Sequence, residues 1–158
     1  MTIVIKNQGT AGTGEGFWTD FYVNPTTLPN NSGLGADRRW NNPAVGSLKG
    51  IAWAIPAMTP GQSITLTSDG SVGLAPNPQQ TVWDGKLPQG SNNLYAFVDS
   101  FDANDPTGPT NIEVIETNEN NNMAGPLTPV VTAGTEEETS SADSTDTAPV
   151  PPRPDLGQ

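Results

Sequence analysis

Phe17-Trp18-Thr19-Asp20-Phe21-Tyr22-Val23 decides how the rest of the chain is read. Phe17, Thr19, Phe21 and Val23 share one side of an extended chain, and Trp18, Asp20 and Tyr22 share the other. A period of two with aromatic and β-branched residues is the mark of a half-buried β-strand. The same alternation recurs at Thr2–Lys6, where Ile3 and Ile5 oppose Val4, and at Ser63–Thr67, where Ile64 and Leu66 oppose Thr65. It recurs again at Leu94–Asp99. Further strands are expected near Lys49–Ile55, Thr81–Trp83, Ile112–Ile115 and Met123–Val131. No long segment keeps a helical period. Short strands punctuated by Gly, Pro and Asn predict an all-β, antiparallel β-sandwich.

Turn chemistry separates the strands. Met58-Thr59-Pro60-Gly61-Gln62 places Pro where φ is preset and Gly where a type II turn needs positive φ. Glu116-Thr117-Asn118-Glu119-Asn120-Asn121-Asn122 follows the apolar run Ile112–Ile115. Asn side chains bond their own backbone, so this cluster predicts a tight, fixed turn before the last strand. Pro25 to Ser47 forms one long Asn-, Gly- and Pro-rich connection, a length usual in functional or mobile loops.

The chain divides near Thr135. Residues 1–134 carry the strand pattern, while residues 135–158 are acidic and rich in Ser, Thr and Pro, as linkers and disordered tails are. The 158 residues hold 6 basic and 17 acidic side chains, a net charge of −11. Six acids and one Arg give the tail −5, which leaves −6 on residues 1–134. A chain so acidic, with no basic stripe, repels nucleic acid and anionic membrane. Cys and His are both absent, which removes thiolate chemistry, disulfides and the imidazole base. Carboxylate-only chemistry survives. A glycosidase pair needs two carboxyls about 5 to 9.5 Å apart across a cleft, and only Asp20 and Asp99 stand within apolar runs. The expectation is therefore a protein that is not an enzyme. No stretch is apolar for long enough to be a membrane helix.

Two sets of residues are candidates for binding. Asp99, Asp102, Asn104 and Asp105 in one loop, with Glu116, Asn118 and Glu119 in another, offer oxygens to calcium. Their spacing is not that of an EF-hand, and the same residues serve equally as Asx-turns. An aromatic surface is the second candidate. Arg38, Arg39 and Trp40 sit in the long connection, where Trp40 is the best exposed anchor, and Trp18 and Tyr22 share a strand face that is either solvated or an interface. Trp53 and Trp83 are expected simply to pack.

Asn7-Gln8-Gly9-Thr10-Ala11, the turn Met58–Gln62 running into Ser63-Ile64-Thr65-Leu66, the strand Leu94–Asp99 and the close Glu116–Asn121 occur in this order. Together they resemble the CARDB domain, the cell-adhesion-related domain of bacterial and archaeal surface proteins. The resemblance spans roughly residues 2–132. It implies an immunoglobulin-like sandwich, extracellular or cell-surface, without catalytic activity, whose partners are neighbouring repeats, other copies, or surface glycans and proteins. The family's usual first strand, introduced by Pro-Asp-Leu, does not precede Thr2, whereas Pro154-Asp155-Leu156 stands at the far end. Either the chain is a piece of a repeat array cut out of register, or the missing strand is donated by another copy, which makes the protein a filament subunit. A carbohydrate-binding module of a secreted hydrolase is the further alternative.

Overall fold

A computed structural model describes residues 1–28, 39–41, 45–47, 49–100 and 114–132. Among them the protein is an antiparallel all-β sandwich. Its strands are β1 (Thr2–Lys6), β2 (Phe17–Val23), β3 (Lys49–Ile55), β4 (Ser63–Thr67), β5 (Gly90–Ser91), β6 (Leu94–Val98), β7 (Met123–Leu127) and β8 (Val130–Val131). Helical structure among the described residues is limited to two single turns, Pro78–Gln80 and Glu119–Asn121.

The four-stranded sheet runs β3-β2-β6-β7, the facing sheet is β1-β4, and β5-β8 form a third, small pair. Four strands in this order facing such a pair make the two layers of a β-sandwich. Registers follow the alternation in the sequence. Phe17, Thr19 and Phe21 lie opposite Ile55, Trp53 and Ile51, so all six face the interior. Ile5 and Leu66 close that interior from the facing sheet, with Met58 and Val114 at its end. Trp53 is fully buried, and its indole N–H donates to the Thr67 carbonyl at 3.4 Å. Burying such side chains contributes on the order of 2 kcal/mol each.

Turns behave as their residues dictate. Gly61 adopts φ +74°, and Gln62 N–H donates to the Thr59 carbonyl at 3.1 Å, the turn expected from Pro60-Gly61. Asn118 accepts from Asn120 N–H at 3.1 Å and starts the single turn that delivers the chain to β7. The expected strand at Thr81–Trp83 shrinks to one bridge, Val82 to Gly50. Trp83 instead tilts against Phe21, ring centroids 5.6 Å apart, and its indole bonds the Lys86 carbonyl. Of the strand expected at Ile112–Ile115, Ile112 and Glu113 lie outside the described residues, and Val114 and Ile115 are not in a strand.

Candidate functional site

The two faces of the four-stranded sheet have opposite histories. Trp18, Asp20 and Tyr22 point away from the interior, and they do not meet solvent as a bare sheet would. Tyr22, Ala52 and Phe97 pack with Trp40 and Val45, which the long connection lays over this outer face. Tyr22 is 0% and Trp40 5% exposed. The reading of Trp40 as an exposed anchor, and of the Trp18–Tyr22 face as solvated or an interface, is thereby corrected. Only Trp18 keeps part of its surface.

Local chemistry explains the cover. Gly50 has no side chain, and a Cβ there would come within 2.3 Å of the Trp40 ring and 2.6 Å of the Phe21 carbonyl. The indole therefore lies flat where any other residue would stand. Trp40 N–H donates to Asp20 Oδ2 at 3.2 Å, and its Nε1–H donates to the Gln80 carbonyl at 2.9 Å. The Ser47 hydroxyl bridges the Val23 and Lys49 carbonyls, each at 2.8 Å, and accepts from Val23 N–H. Asp20 is thus a buried anchor for a backbone. A cavity of about 70 Å³ remains beside it, lined by Trp18, Arg39 and Gln80, room for water rather than for a sugar ring. Arg38 lies outside the described residues.

The opposite situation holds along β1. Asn7 N–H donates to the Gln62 carbonyl, and the Met1 carbonyl accepts from Ser68 N–H, at 2.9 and 3.1 Å. Odd-numbered residues of β1 therefore turn their backbone groups to β4. In an antiparallel ladder these directions alternate, so Thr2, Val4 and Lys6 turn theirs to the other edge. Among the described residues no strand pairs with that edge. Beside it runs a groove of about 550 Å³, floored by Ala96 and Val98 of β6 and by Phe17 and Met58. Val4 (63%), Ile115 (94%) and Met123 (38%) are exposed along it, apolar surface with nothing over it among the described residues.

The calcium candidates fall partly here. Asp99, Glu116 and Asn118 line the same groove. Asp99 is 2% exposed, adopts φ +57°, and its Oδ2 accepts from Val114 N–H at 3.0 Å. Both its strained backbone and its carboxylate serve to pin the chain re-entering at Val114. Asn118 is occupied as the cap described above. Asp102, Asn104, Asp105 and the side chain of Glu119 lie outside the described residues. Among the described residues no three acidic side chains converge as a metal site would require. The two acids considered for a glycosidase pair, Asp20 and Asp99, are each tied to a backbone N–H.

Sequence reasoning missed the open edge as a defined set of groups, because it depends on which residues of β1 face β4. It also missed the Trp40 cover, whose only signal was Gly50 within an otherwise apolar strand. No family model matches the chain, and neither does any curated protein or solved structure.

Proposed function

We propose that the protein is a non-catalytic module of a prokaryotic surface protein that works by taking an extended segment of polypeptide onto the free edge of β1. One observation carries this: Thr2, Val4 and Lys6 present backbone donors and acceptors on an edge beside a groove with an apolar floor and polar rim that no described strand fills. Edge strands that are neither bulged nor covered pair with added strands, and main-chain bonds then supply affinity; the one charge on this edge, Lys6, stands at its end. The chain's resemblance to an adhesion-related domain supports an extracellular setting, and the groove favours assembly over passive spacing.

The reading is tested with a ten-residue peptide of alternating Val and Thr as probe, added to the full chain. Hydrogen exchange at the Thr2, Val4 and Lys6 amides is followed by NMR. These amides become protected, and Val4→Pro, which removes a donor that β4 never uses, abolishes the protection. If millimolar peptide leaves the three amides exchanging at their original rates, the reading fails.

A further inference from the structure

We infer that the segment received by β1 is β8 of a second copy, joined edge to edge in one register. This rests on the strand-accepting reading of β1 and names its partner. Asn92 N–H donates to the Pro129 carbonyl at 3.0 Å, and Gly90 lies opposite Val131. Pro129 and Val131 therefore turn their backbone groups to β5, and by alternation Thr128, Val130 and Thr132 turn theirs outward. Val130 is 65% exposed, and no described strand pairs with this edge of β8.

The two free edges match. Along β1, Thr2, Val4 and Lys6 are exposed while Ile3 is half-buried and Ile5 buried; along 128–132, Thr128, Val130 and Thr132 are exposed and Pro129 and Val131 half-buried. Antiparallel pairing with Val130 opposite Val4 sets Thr132 against Thr2 and Thr128 against Lys6. Those three pairs bring only outward-facing groups together, about six hydrogen bonds in all. On the inner side Val131 meets Ile3 and Pro129 meets Ile5, over the groove floor. Pro129, which lacks an N–H, falls where none is needed. No like charges meet, and Val against Val is a favourable cross-strand pair. Shifting by two residues loses one of the three pairs, and shifting by one sets free groups against used ones.

A twofold β1–β1 seam also pairs Val4 with Val4, but the space beside β1 lies over β6 and β7, whose Ala96, Val98, Met123 and Ala124 line the groove. A second sandwich brought edge to edge would drive its own second sheet into them. β8 instead continues the β6–β7 ladder in the same register, Leu94 opposite Leu127 and Gly90 opposite Val131, so the pairing joins edges of opposite layers and sets the donor's β1–β4 sheet, not a second four-stranded sheet, beside β6 and β7. Because donor and acceptor are different surfaces, the contact is heterologous, and each copy can both give and receive.

The test uses the full chain in sedimentation velocity over a concentration series, with two single variants. Val4→Pro blocks the acceptor edge and Val130→Pro the donor edge; circular dichroism checks that each is folded. The expected result is wild-type mass that grows with concentration. Each variant alone associates at least about tenfold more weakly, and an equimolar mixture stops at a heterodimer. In a Cys-free chain, Val4→Cys mixed with Val130→Cys forms a disulfide between copies, since paired residues lie about 5.5 Å apart. Val130→Pro associating like wild type, or wild type remaining monomeric at about 1 mM, overturns the choice of partner. In either case protection of the β1 amides by the Val-Thr peptide still stands or falls by itself, and so separates this failure from failure of the accepting edge.

Discussion

The outer face of the four-stranded sheet and the strip beside β1 pose the same problem and are treated differently. Each is apolar β-surface that would lie bare. On the outer face a loop supplies a Trp, a Gly gives it room, and a buried Asp and a Ser fix its backbone. Beside β1 none of these devices is present among the described residues, and Ile115 stands 94% exposed where Trp40 is 5%. Closing an apolar face from within the chain yields stability. Leaving one open beside an unpaired edge yields a place for another chain.

Breaking the closed side has the largest expected effect. Trp40→Ala empties the outer cluster and is expected to cost about 3–5 kcal/mol, read from urea unfolding. A loss below about 1 kcal/mol would mean that the cover is not integral to the sandwich. Gly50→Ala pushes a methyl into the Trp40 ring and the Phe21 carbonyl, with an expected cost of about 1–3 kcal/mol, and combining it with Trp40→Ala gives less than the sum. The open side responds in the opposite way. Ile115→Ser should leave the unfolding free energy of dilute protein within about 0.5 kcal/mol of wild type; a large loss would show that the strip is closed in solution after all.

The smallest effect lies away from both regions. The Lys86 backbone N–H, and then the Lys49 ammonium at 3.1 Å, hold the Asp84 carboxyl below its ordinary value. A carboxyl with a lowered folded pKa lends its stability above the unfolded value of about 3.9 and gives it up as pH falls through the folded one. Asp84→Asn should therefore narrow the difference between melting at neutral pH and at acid pH, slightly, because the pair is exposed. An unchanged acid limb would show that the pair contributes nothing.

The strands were legible because alternation is local. Phe17–Val23 and Leu94–Val98 pair in the sheet their pattern requires, and Pro60-Gly61 and Asn118 make the turns their side chains favour. The fate of Tyr22 was not legible. Its exposure depends on a segment some twenty residues away folding back onto Gly50, and a period of two says only that Tyr22 and Phe21 face opposite ways. At Thr81–Trp83 the β-propensity of Val82 and Trp83 lost to the Phe21 ring, which holds Trp83 out of the ladder. Asp99 reads as a cation ligand because carboxylates in loops often are; that its Oδ2 receives Val114 N–H follows only from the return path of the chain.

The placing of the tryptophans has an optical consequence. Trp53 sits in the inter-sheet core, Trp40 beneath the outer cover, and Trp83 against Phe21 with its indole held by the Lys86 carbonyl. Each layer therefore carries its own intrinsic fluorophore in a different environment. Trp18, packed against the outer cluster, adds to the outer signal, so emission from a protein with both Trp18→Phe and Trp40→Phe reports the inner layer alone, and its difference from wild-type emission follows loosening of the cover apart from melting of the sandwich, with no dye attached.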